Sequence, residues 1–124
     1  MRILIVDDDV NNIELIKSYL APLGLIDFVS SHSGADGVEM ARSQAPDLIL
    51  MDLLLRAPMP FGWDAIQILK DDPKTRHIPI VAITAGGPSA IQKALQAGCD
   101  AYVERPFRIN DLLSTVQKLL SMAG

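Results

Sequence analysis

The chain has 124 residues, 49% of them apolar and 21% charged, which is the size and composition of one soluble globular domain spanning residues 1–124. A net charge of −4 with no basic run argues against direct nucleic-acid binding. The apolar stretches are strand-sized, far short of the roughly 20 residues that a membrane span needs. One cysteine, Cys99, leaves no internal disulfide to form and fits a reducing cytoplasm, and a strand that begins within a few residues of Met1 leaves no room for a signal peptide.

Taken in chain order, five apolar runs alternate with helical patterns, which predicts a parallel sheet covered on both faces. The first strand is expected near Ile3–Val6. A helix follows, with Asn12, Leu15, Ile16, Tyr19, Leu20 and Leu23 at 3-4 spacing, ended by Pro22 and Gly24. The second strand is placed near Ile26–Ser30 and the second helix from about Ala35 to Ala45, with Val38 and Ala41 inward. The third strand is Leu48–Met51. Its helix starts near Gly62 or Trp63 and stops before Asp71-Asp72-Pro73. Ile80–Ile83 is the fourth strand, followed by a helix that uses Ile91, Ala94 and Leu95 and ends at Gly98. Ala101–Val103 is the fifth strand. The last helix carries the clearest stripe: Ile109, Leu112, Leu113, Val116, Leu119 and Leu120.

Chemistry gathers where these strands end. Asp7-Asp8 follows the first run, Asp52 the third, Thr84 the fourth, and Arg105-Pro106 lies just past the fifth. In an open parallel α/β sheet the ligand crevice lies outside the carboxyl ends of the strands. Residues far apart in sequence are thereby delivered to one place. Carboxylates, a hydroxyl and a cation together can hold a divalent metal and a phosphoryl group. Each residue also has an ordinary reading: Asp at a helix start as an N-cap, Asp52 and Thr84 as strand ends, and Arg105 as a surface cation at a turn. For Asp9 the helix-capping reading is preferred.

The segments ILIVDDD, PDLILMDLLL, HIPIVAITA and AGCDAYVERPF, in that order, resemble the receiver domain of two-component response regulators, the family of the chemotaxis response regulator. The resemblance covers essentially the whole chain. It implies a flavodoxin-like, doubly wound (βα)5 fold with a five-stranded parallel sheet in the order 2-1-3-4-5. It implies a Mg²⁺ site made by Asp8 directly, Asp7 partly through water, Asp52 and the Leu54 carbonyl. Asp52 would be the phosphoacceptor. Thr84 and the Ala85 N–H would bind phosphoryl oxygens, Thr84 and Tyr102 would report phosphorylation, and Arg105 stands where the family carries Lys before a Pro whose peptide bond is usually cis. For Tyr102 the plain alternative is a half-buried strand aromatic. A sensor histidine kinase or histidine phosphotransferase would donate the phosphate, and a downstream protein would read it. No turnover of a separate substrate is expected.

Two loops depart from the family's pattern. After Asp52 the family usually has Pro four residues on and Gly four further; here Arg56 takes the first place and Gly62 comes two residues late, as if two residues were inserted beside the site. The loop Gly86-Gly87-Pro88 after Thr84 is one residue shorter than usual. These departures and Arg105 keep a second reading open, a constitutive interaction module (a pseudo-receiver) whose switch is disabled. A third, a metal-dependent phosphatase with Asp52 as catalytic intermediate, is disfavoured by Leu54, where such enzymes often carry a second Asp. His32 and His77 are expected in solvent, without metal-ligand companions. Cys99 is expected to be a small buried apolar residue.

Overall fold

The computed structural model describes residues 1–25, 27–55, 58–106 and 108–123. Ile26, with which the second strand was expected to begin, Arg56 in the loop after Asp52, and Phe107 at the end of the last motif lie outside them. The elements in order are β1 (Arg2–Val6), α1 (Val10–Leu20), a 3₁₀ turn (Ala21–Leu23), β2 (Asp27–Ser31), α2 (Gly34–Gln44), β3 (Leu48–Asp52), α3 (Gly62–Asp71), β4 (Ile80–Thr84), α4 (Gly87–Ala97), β5 (Ala101–Glu104) and α5 (Ile109–Ala123). All neighbouring strands pair in parallel, and the sheet order is β2-β1-β3-β4-β5.

The alternation of side chains along a strand explains why both faces need a cover. Leu4 and Val6 of β1, Ile49 and Met51 of β3, and Ile80 and Ala82 of β4 point into one cluster, which α2, α3 and α4 close with Val38, Ala41, Ala65, Ile66, Leu69, Ala94 and Ala97. The intervening residues Ile3, Ile5, Leu48, Leu50, Val81 and Ile83 face the other side. There α1 and α5 supply Ile13, Ile16, Leu20, Leu112, Val116 and Leu120. Continuous apolar runs are what a strand buried on both faces requires.

Helix ends follow the expected punctuation. Gly24 and Gly98 close α1's final turn and α4 in left-handed conformations, φ 82° and 104°. The helix faces differ in detail from the sequence reading. In α1 the inward residues are Ile13, Ile16 and Leu20, while Leu15 is exposed. Both sets have helical spacing and lie about one residue's rotation apart; the Asn12, Leu15 and Tyr19 stripe instead flanks Arg105 and Pro106. In α4 the small Ala94 and Ala97 face the core and Leu95 points outward. Ile109 at the start of α5 is also exposed.

Candidate functional site

Topology brings the carboxyl ends of β1, β3 and β4 side by side, with Val6 beside Met51 and Asp52 beside Ile83. Asp7 follows directly on β1, its N–H still paired to the Ser31 carbonyl at 3.0 Å. It is 1% exposed, and both its oxygens are engaged. Oδ1 accepts the Asp9 N–H at 2.9 Å and Oδ2 accepts an Arg105 guanidinium N–H at 2.7 Å. Asp9 is the N-cap of α1 and accepts from the Asn11 N–H, as expected for it.

Asp52 ends β3 and is buried, with one oxygen accepting the Leu54 N–H at 3.1 Å. Its other oxygen lies 3.7 Å from the Arg105 guanidinium. Burial pushes the Asp52 carboxyl up to about 6; Asp7 and Asp8 add to the rise, while the Leu54 N–H and Arg105 oppose it. Thr84 ends β4, buried, its hydroxyl oxygen accepting the Gly86 N–H at 2.9 Å. That bond uses a lone pair and leaves the hydroxyl proton free to donate elsewhere. The Arg105 N–H bonds the Thr84 carbonyl at 2.7 Å, which holds its backbone beside the end of β4; the Arg105–Pro106 peptide is cis.

Asp7, Asp8 and Asp52 each offer an oxygen within 4.8 Å of the others. Two of these carboxylates, Asp7 and Asp52, face the Arg105 guanidinium, and three hard oxygen donors at this spacing fit a divalent cation such as Mg²⁺. Beside them opens a cavity of about 500 Å³ lined by Asp8, Asp52, Leu54, Thr84, Ala85 and Arg105, and also by Trp63 and Ala90. The structure therefore gathers Asp7, Asp8, Asp52, Thr84 and Arg105, with Leu54 and Ala85 at the rim. Tyr102 stands apart: it is 43% exposed and lines a separate groove with Glu104, Pro106 and Arg108. His32 and His77 are in solvent, and Cys99 is buried, its thiol pushed up by that burial.

Two site features escaped the sequence reading. A Cβ on Gly62 would collide with the Asp52 carbonyl oxygen, so only glycine lets α3 begin against the end of β3. The signal was present, since Gly62 is the displaced loop glycine, but its contact was not readable. The other is the wall itself. The two ends of the long loop are joined by a Leu54–Phe61 antiparallel bridge and a Leu55 N–H bond to the Pro60 carbonyl at 2.7 Å, and Trp63, stacked on Phe61, lines the cavity.

A profile of the response regulator receiver domain matches residues 3–117. The chain belongs to that family. This receiver domain is 33% identical over 122 residues to the polar-differentiation response regulator DivK of Brucella ovis, covering 98% of this chain and 97% of the relative. It also superposes on the receiver domain of the sensor histidine kinase PA1611 of Pseudomonas aeruginosa PAO1, solved with a magnesium ion coordinated in its active-site cleft. The TM-score there is 0.86 at 30% identity, with 97% of each chain covered. The signal receiver domain of a histidine kinase from Syntrophus aciditrophicus gives a TM-score of 0.87 at 30% identity, over 97% of this chain and 89% of that one. The flavodoxin-like fold and the strand order expected from the sequence are those observed. Among the described residues no helix is long and apolar enough to cross a membrane.

Proposed function

We propose that this receiver domain is a phosphoryl-accepting switch of a two-component pathway, modified on Asp52. The reading rests on one observation above the rest: Asp52 stands in a cluster of three carboxylates, two of them paired with Arg105, beside an open cavity. A sensor histidine kinase or histidine phosphotransferase is the donor. An Asp52 oxygen attacks phosphorus in line, the P–N bond to the donor histidine breaks, and an aspartyl phosphate forms. Asp52 attacks as the carboxylate; burial chiefly, with Asp7 and Asp8, raises its carboxyl, and a cation held by the three carboxylates would favour the ionised form.

Asp8, Asp7 and Asp52, with the Leu54 carbonyl, would hold Mg²⁺, which neutralises charge on the phosphoryl oxygens. Thr84 donates its free hydroxyl proton to one phosphoryl oxygen and the Ala85 N–H serves another. Arg105 turns from Asp7 towards the phosphoryl group, its planar fork suited to two oxygens. The change at Thr84 passes through Gly86 to α4 and to the face that a downstream protein reads. Tyr102, already exposed, lies on that face. The domain turns over no separate substrate, and its place is the cytoplasm, where phosphohistidine donors are made.

One observation favours the constitutive-module reading: Arg105 already neutralises Asp7 at 2.7 Å. Mass spectrometry separates the two. Incubation with acetyl phosphate and Mg²⁺ is expected to add one alkali-labile phosphate, absent from Asp52→Asn. Arg105→Lys is expected to keep phosphorylation at an altered rate, and Arg105→Met to lose most of it. A phosphate that persists in Asp52→Asn places the nucleophile elsewhere. No phosphate on the parent, from acetyl phosphate or a phosphorylated histidine phosphotransferase, leaves the constitutive module.

A further inference from the structure

The loop that departs from the family's pattern ends in a layered stack. The Phe61 and Trp63 rings lie 4.5 Å apart and within 4° of parallel. The ammonium of Lys93, which belongs to α4, sits 4.8 Å from the centroid of the Trp63 ring. Phe61 immediately precedes α3 and Trp63 is its second residue, so the indole is gripped between its own helix start and the neighbouring helix. Trp63 also lines the cavity above Asp52, beside Leu54 and Ala90.

We propose that Lys93 is a positioning residue: it pins the Trp63 indole as the water-excluding wall of the Asp52 cavity and so sets how long a phosphate stays on Asp52. The inference rests on the switch reading above. The phosphate is lost when a water oxygen attacks phosphorus and the P–O bond to Asp52 breaks; the Asp52 carboxylate is regenerated and both water protons leave on inorganic phosphate. Asp52 is only 6% exposed, so the attacking water must enter through the cavity, and an indole free to swing widens that route. A cation over an indole, even where solvent reaches the pair, biases its position by about 2- to 5-fold, and Trp63 is half-buried. Phe61 stacks on the ring and Lys93 sits over it, so loss of either loosens the wall without touching Asp52, Thr84 or Arg105.

Two measurements on the full chain test this. Trp63 is the only tryptophan, so acrylamide quenching in metal-free, unphosphorylated protein reads the wall directly. Lys93→Met is expected to raise the quenching constant about 2-fold with an unchanged melting temperature, and Lys93→Arg to restore it, since a guanidinium also sits over an indole. After loading with radiolabelled acetyl phosphate and Mg²⁺ and removal of the donor, the phosphate on Lys93→Met is expected to decay about 3-fold faster than on the parent. Lys93→Arg should decay like the parent, and Phe61→Leu should be faster. Quenching or decay in Lys93→Met equal to the parent's overturns the inference alone. A parent that takes up no phosphate overturns the switch reading, and this inference with it.

Discussion

The two ends of the sheet use charge in opposite ways. At the amino ends of the strands, opposite charges are matched and tied across elements. Lys70, in the last turn of α3, reaches the Asp100 carboxylate at 2.9 Å and the carbonyls of Ile78 and Arg76 at 2.9 and 3.2 Å. Asp100 in turn accepts the Ile80 N–H at 2.8 Å, so one ammonium fastens a helix to the starts of β4 and β5. Arg2 pairs with Asp27, its N–H bonds Asp47, and Arg42 pairs with Asp72. At the carboxyl ends, three carboxylates crowd together, and two of them face the Arg105 guanidinium. One end is built for the fold; the other gathers like charges whose repulsion a bound cation would relieve.

Removing the cation at each end tests this contrast most severely. Arg105→Met leaves Asp7, 1% exposed, as an uncompensated buried carboxylate. Without divalent cation the variant is expected to lose about 3 kcal/mol at pH 7. Millimolar Mg²⁺ should recover much of this and stabilise the variant more than the parent, because metal then replaces the missing charge. Calorimetry with chelator and with Mg²⁺ checks both halves. A variant as stable as the parent in chelator means that the guanidinium does not hold Asp7.

Removing a carboxylate instead should have the opposite sign. The Asp52 carboxyl sits at about 6, above its usual 3.8, so the folded state holds this proton more tightly than the unfolded state. Its stabilising share is complete below about pH 4 and is lost as pH rises towards and through 6. The metal-free parent therefore carries a penalty of up to about 3 kcal/mol at pH 7. Asp52→Asn removes it. The stability gap between variant and parent is expected to open from near zero at pH 4 to its full size at pH 7, and to narrow when Mg²⁺ is added. A gap independent of pH would mean that Asp52 is not strained.

At the other end Lys70→Met is expected to cost about 2 kcal/mol, since two carbonyls and Asp100 lose a donor. This cost should be insensitive to Mg²⁺, which is what divides the two ends. A Mg²⁺-dependent loss in Lys70→Met would couple them and spoil the contrast.

What could be read from the sequence follows the same division. Strands buried on both faces announce themselves as apolar runs, and the residues just past them fall at the carboxyl edge by topology alone, so Asp7, Asp8, Asp52, Thr84 and Arg105 were locatable. Contacts between residues far apart were not. The Lys70 staple joins residues 30 positions apart with no periodic trace, and Lys93 over Trp63 spans the same distance in sequence. Helix faces fell between these cases. Leu15 and Leu95 fit a stripe as well as Ile13 and Ala97 do, and which set turns inward depends on how closely the helix must approach the sheet.

The smallest expected effect lies away from both ends, where α2 stops. Ala45 caps that helix at φ 46°, ψ 58°, the left-handed region that an alanine Cβ disfavours by roughly 1 kcal/mol. Gly24 and Gly98 close their helices in the same conformation without that cost. Ala45→Gly removes the Cβ clash but enlarges the freedom of the unfolded chain, and the two effects oppose each other. Relief of the clash should prevail, because the position is exposed and the alanine packs little. A gain of about 0.5 kcal/mol is expected, the same with and without Mg²⁺ and the same in Asp52→Asn. Denaturant unfolding of the single and double variants checks the sign and the additivity. A destabilised Ala45→Gly would show that chain entropy outweighs the strain at this cap, and non-additivity with Asp52→Asn would show that the helix end feels the charge cluster.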